Sequence, residues 1–115
     1  MQTAHNTSNG GIVYLYFSVP SGTSYINMTL KMSGDFNNNY EDVSITANGN
    51  VIGSNVRPGG YQYSTLQIPS GWSNNSISSS NWSAGSSLTI LLNASSYVSG
   101  SELGGHNYLV TLTYY

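Results

Sequence analysis

Charge is almost missing from this 115-residue chain: two Lys or Arg and four Asp or Glu amount to 5% of it, against about 25% in an average soluble domain. Lys31 and Arg57 are the only fixed cations and the net charge is −2. Nothing is therefore present to neutralise a run of phosphates, which argues against nucleic acid and anionic lipid as partners. Cysteine is absent, so disulfides and thiolate metal sites are excluded. No run of about 18 apolar residues occurs, so no helical membrane span is expected. The first eleven residues are polar, with neither the basic nor the apolar region of a secretory signal. They read as a polar arm, residues 1–11, ahead of a single domain over residues 12–115. Met1 is either the native start of a protein made in a cytoplasm or an addition to a trimmed one.

What the chain does contain is uncharged polarity and short-period apolar residues. It has 21 Ser, 9 Thr, 14 Asn and 13 Gly beside 38% apolar residues, enough apolar content for one folded core. Apolar residues recur with period two, the strand pattern. Ile26, Met28, Leu30 and Met32 alternate with Asn27, Thr29, Lys31 and Ser33. The terminal segment alternates too, but Leu109 and Tyr115 put large residues on its second face, which predicts a central strand or one that touches a partner. Further strands are predicted over residues 12–19, 42–47, 50–54, 61–68 and 87–93. Turns fall at Pro20-Ser21-Gly22, Pro58-Gly59-Gly60, Pro69-Ser70-Gly71 and Gly104-Gly105. Asn48-Gly49 between Ile45 and Val51 is the strongest hairpin signal, because both central residues of a type I′ turn need positive φ. Residues 73–87 form the longest predicted loop, with room for one helical turn. The expected fold class is all-β: an antiparallel β-sandwich of seven or eight strands.

The run Gly34-Asp35-Phe36, then Glu41-Asp42-Val43-Ser44-Ile45-Thr46-Ala47 leading into Asn48-Gly49, resembles a jelly-roll-type module of bacterial surface proteins and virion (phage) proteins. Those modules follow an alternating strand with Gly-Asp-Leu or Gly-Asp-Phe. They then open a strand on an acidic residue that runs into an Asn-Gly hairpin. Thr111-Leu112-Thr113-Tyr114 is similar to their closing Leu-x-Tyr strand. The resemblance spans residues 12–115 and implies a jelly-roll-like sandwich. It departs from the pattern in one respect, since such modules usually sit inside long exported chains.

Four of the six charged residues lie between Lys31 and Asp42. Asp35, Asn37, Asn39 and Glu41 offer the hard oxygen donors that calcium prefers, so one structural calcium is a candidate cofactor. If Glu41 and Asp42 lie on one strand they point to opposite faces, so only one of them can serve a given site. The alternative is a solvated loop in which Asp35 bonds its own turn. His5 and His106 are distant in sequence, and Glu41, Asp42 and Glu102 show no shared pocket signal. No nucleophile–base–orienter pattern or carboxylate pair is therefore legible, and no enzyme is expected. Aromatic candidates for stacking on sugars or anchoring an interface are Trp72, Trp82, Tyr61, Tyr63, Tyr114 and Tyr115, with Tyr14 and Tyr16 beside them. Five glycosylation sequons, at Asn6, Asn27, Asn74, Asn81 and Asn93, are close to the number chance alone places in so Asn- and Ser-rich a chain.

Three readings fit. The first is a structural protein on the surface of a virus particle, a capsid decoration or tail- or fibre-associated sandwich that contacts capsid or tail proteins and forms homo-oligomers within the assembly. The second is a carbohydrate-binding module, extracellular or on a cell surface, with glycans as partners. The third is an adhesin or filament subunit in which a terminal strand completes a neighbour. For the calcium loop, Asp35→Ala is expected to lower the melting temperature only when calcium is present. Equal melting of the unaltered protein in calcium and in chelator would end that assignment.

Overall fold

The structure is a computed structural model that describes residues 2–9, 11–36, 42–58, 60–61, 65–94 and 106–115. In chain order its strands are β1 (Gln2–Asn9), β2 (Ile12–Ser18), β3 (Ile26–Ser33), β4 (Asp35–Phe36), β5 (Val43–Ala47), β6 (Asn50–Val56), β7 (Gly60–Tyr61), β8 (Asn75–Ser76), β9 (Ser87–Ala94) and β10 (Asn107–Tyr114). Among the described residues one 3₁₀ turn, Ser79–Asn81, stands before β9. It occupies the predicted long loop. No helix among the described residues is long and apolar enough to cross a membrane.

Two four-stranded antiparallel sheets carry the core, in the orders β1-β10-β3-β8 and β2-β9-β5-β6, with β4 and β7 as a small separate ribbon. The pairs are nested: β1 with β10, β2 with β9, β3 with β8, and β5 with β6. That nesting, a long hairpin rolled on itself, is the jelly roll. The sandwich expected from the sequence is thus the one observed. Period two explains it. Along β2 Val13, Leu15 and Phe17 are buried while Ile12, Tyr14, Tyr16 and Ser18 are exposed. On β3, β5, β9 and β10 the inward positions form one continuous apolar cluster.

Two segments differ from expectation. The polar arm contains a strand: Gln2–Asn9 pairs along its whole length with β10. Its inward register positions include Gln2 and Ala4, and only Ala4 packs on the core, so backbone pairing rather than apolar alternation holds it. Of the strand predicted over residues 61–68, the structure describes Tyr61 in β7 and a lone bridge from Gln67 to Met32. Residues 62–64 lie outside the described ones. The terminal strand is central, flanked by β1 and β3.

The Asn48-Gly49 hairpin is present, with φ of 48° and 87° at its two central residues. Asn48 does more than turn. Its Oδ1 accepts from the Thr89 backbone N–H (2.9 Å) and its Nδ2 donates to the Asn81 carbonyl (2.8 Å). Asn50 Nδ2 donates to Asn81 Oδ1 (2.9 Å). The hairpin tip is therefore tied both to β9 and to the 3₁₀ turn, and the Asn81 side chain is engaged.

At the corner after β3, the Gly34-Asp35-Phe36 motif acquires a physical reason. His106 is fully buried, its ring edge-on to Phe36 with centroids 4.4 Å apart at 89°. A Cβ on Gly34 would stand 2.6 Å from His106 Cδ2, and Gly34 has φ +147°, a region essentially reserved for glycine. Gly34→Ala is expected to destabilise the fold by about 3 kcal/mol, combining backbone strain with steric overlap. Gly49→Ala meets no atom within 4 Å and should cost about 1 kcal/mol through positive φ alone. Urea midpoints of the two variants check the ranking, and equal losses would refute the packing role of His106.

Candidate interaction surface

Register places side chains on the outer face of the second sheet in rows. Tyr14 stands opposite Leu91, Leu91 beside Thr46, and Thr46 opposite Val51. Ile12, Asn93 and Ser44 make a parallel row, and Tyr16 faces Thr89. Four of these are large and well exposed: Ile12 63%, Tyr14 56%, Tyr16 67% and Val51 68%. Not one residue of β2, β5, β6 or β9 is charged. Lys31 lies in the other sheet, on β3. Soluble monomers seldom leave a contiguous apolar and aromatic area uncharged, and such areas mark contact sites. Tyr14 and Tyr16 project from the same face about 7 Å apart along the strand.

The other aromatic candidates divide. Tyr114 is corrected: only 4% exposed, it points into the core from the inward face of β10 and offers no surface ring. Trp72 and Trp82 expose only part of their rings. Both are half-buried and pack on the core. Trp72 covers Gly53 beside Ile45, where any Cβ would run into the indole. Trp82 Nε1–H donates to the Ile77 carbonyl at 3.0 Å. A loop-like sequence context hid that both close gaps at the rim of the core. Tyr115 is exposed and tilts against Tyr25 at 5.6 Å. Beside it lies an open recess of about 130 Å³ next to Pro20 and Thr23, well below the roughly 300 Å³ at which ligand pockets begin. Tyr61 pairs its backbone with Asp35, while Tyr63 lies outside the described residues.

Of the calcium candidates, Asp35 sits on β4, and Asn37, Asn39 and Glu41 lie outside the described residues. Among the described residues no three His, Asp or Glu side chains gather. His5 is exposed opposite Thr111 and His106 is buried behind Phe36, about 17 Å apart along β10. Compared with family models, with characterised proteins and with solved structures, the chain matches none.

Ile12 and Val51 were not singled out from the sequence. The signal was present in β2, where Ile12-Val13-Tyr14-Leu15-Tyr16-Phe17 is apolar or aromatic on both faces. Such a strand is either central or contacts a partner, and β2 is an edge.

Two core tyrosines set the alkaline behaviour. Neither the Tyr108 nor the Tyr114 hydroxyl has a hydrogen-bond partner among the described residues. Burial pushes Tyr108 far above the ordinary value of 10.0 and Tyr114 upward as well. The unfolded chain then loses these protons first, so their contribution to stability is intact below about pH 10 and is lost as pH rises toward the folded values. Tyr108→Phe should change stability by no more than about 1 kcal/mol at pH 7, since no bond is broken. It should also flatten the fall in stability above pH 10. Denaturation midpoints from pH 7 to 11 test both, and an unchanged alkaline slope would contradict the assignment.

Proposed function

We propose that this chain is a non-enzymatic structural protein on the surface of a virus particle, a capsid decoration or a tail- or fibre-associated subunit. It packs against capsid or tail proteins through the outer face of β2-β9-β5-β6. The supporting observation is that uncharged face, where Ile12, Tyr14 and Tyr16 stand exposed along β2 and Val51 stands exposed across the sheet on β6. Capsid subunits and lectins share the jelly roll, so the frame alone does not choose between them. The face favours protein. Exposed aliphatic side chains gain most against another apolar surface, and a lattice built on aromatic and backbone contacts needs no ion pairs.

A glycan-binding reading is favoured by one observation: Tyr14 and Tyr16 are successive exposed rings on one face, an arrangement on which sugar rings can stack. Density-gradient purification of particles from the source cells separates the two. The chain should co-migrate with nucleic-acid-containing particles in fixed copy number. Val51→Lys, a change at an exposed position, should cut incorporation about tenfold, equivalent to a loss near 1.4 kcal/mol. A chain found only in the particle-free fraction, binding oligosaccharides until Tyr14→Ala removes a ring, would overturn the particle reading in favour of the glycan one.

A further inference from the structure

Among the described residues the outer edge of β2 is unpaired, and it is built differently from the opposite edge of the same sheet. Open strand edges attract further strands, and proteins blunt them with charge, proline or bulges. β6 is blunted: its pairing with β5 shifts register between Val43 and Ile45 and again between Ile45 and Thr46, and Asn55 has φ 54°. β2 has none of these devices. Its seven residues run in unbroken register from Ile12 opposite Asn93 to Ser18 opposite Ser87, with neither charge nor proline.

The hydrogen-bond phase of β2 follows from its ends. Ala94 N–H donates to the Gly11 carbonyl (2.6 Å) and Val19 N–H to the Ser86 carbonyl (2.9 Å). Both pairs continue the β2–β9 register. Bonded pairs alternate in an antiparallel ladder, so the odd positions Val13, Leu15 and Phe17 turn their backbone groups toward β9. Ile12, Tyr14, Tyr16 and Ser18 turn theirs outward. None of these four makes an outward backbone bond among the described residues. The same four carry the exposed side chains.

We propose that β2 pairs antiparallel with β2 of a second copy of this chain, about a two-fold axis at Leu15, joining two four-stranded sheets into one of eight strands. The inference rests on the assembly role proposed above and names its first partner. The strand is suited to itself. Self-pairing sets like against like, which is repulsive for any charged strand, and this strand carries none. Only one two-fold register engages all seven residues. It sets Leu15 against Leu15 of the second copy and Tyr14 against Tyr16 of the second copy. About eight backbone bonds form between the even positions. Two Tyr pairs close side by side on the outer face, an arrangement that stabilises antiparallel strands. Together with Ile12 from each copy, the contact removes on the order of 1,000 Å² from water, the lower limit for a specific interface. The two uncharged faces then run on as one surface twice as wide.

Light scattering after size exclusion, with the full chain on the order of 100 μM, weak enough to detect a micromolar dimer, is expected to give twice the chain's 12.3 kDa. Tyr14→Pro deletes an outward N–H without touching the β2–β9 ladder and should halve that mass while circular dichroism stays native. Should that variant fail to fold, cross-linking decides instead. The natural chain has no Cys, so an oxidised mixture of Tyr14→Cys and Tyr16→Cys should link in pairs whereas each alone should not. A monomeric unaltered chain, a dimer that survives Tyr14→Pro with its fold intact, or links within a single cysteine variant would each overturn the proposal. Failure here is distinct from failure of the particle reading. Native incorporation of Tyr14→Pro into particles would remove the pairing and keep the function, and a β2 dimer never found on particles would do the reverse.

Discussion

Everything in this molecule depends on apolar contact between two sheets that have almost nothing else to hold them. There is no disulfide, and the strands of the second sheet carry no charge at all. Met28, Leu30 and Met32 from one sheet and Ile45, Ile90 and Leu92 from the other are shielded from water in one cluster. Each fully buried side chain of this kind contributes roughly 1.5–3 kcal/mol. Because an inward position comes only every second residue, the contact dictates strand register, and register in turn decides which side chains reach the outside.

That dependence explains what could be read in advance. β3 and the Asn48-Gly49 hairpin were legible because alternation and positive-φ chemistry are local. β1 was not, since its inward positions include Gln2 and its place is set by backbone bonds to β10, a partner a hundred residues away. The twin apolar faces of β2 and of the terminal strand carry the same local signal and have opposite meanings. β10 lies between two strands, so both its edges are paired and its outer face is half-covered by neighbouring side chains, whereas β2 ends a sheet and its outer side chains stand well exposed. Only the strand order separates them. The same limit applied to the aromatics. Tyr14 and Tyr16 could be named from the sequence, but the residues that share their face, Leu91 and Val51, come from two other strands. Tyr114 looked available and is instead enclosed, and Trp72 is half-covered against the core, because nothing local reports the Gly53 gap or the inward phase of β10.

The charged window at residues 31–42 takes on a different emphasis once the corner is seen. Its fixed point is the stack of His106 on Gly34 and Phe36, an apolar and steric contact. The motif that resembles jelly-roll modules therefore serves at least to pass the chain from the first sheet toward the second. Charge gathers around the corner and stays off the second sheet, leaving that sheet's outer side to hydroxyl, amide, aromatic and aliphatic groups.

The contrast between the edges of the second sheet also bears on how far any assembly can grow. A sheet with two open edges is a polymerising unit, since each added copy offers a fresh site. In the second sheet the register shifts and the left-handed Asn55 in β6 break the ladder at one side, which leaves β2 as the regular edge of that sheet. Pairing of like with like at a single site is isologous and closes on itself. On the proposed pairing the irregularity of β6 would act as a chain terminator for this sheet, holding it at two copies where an evenly paired sheet would form a fibre.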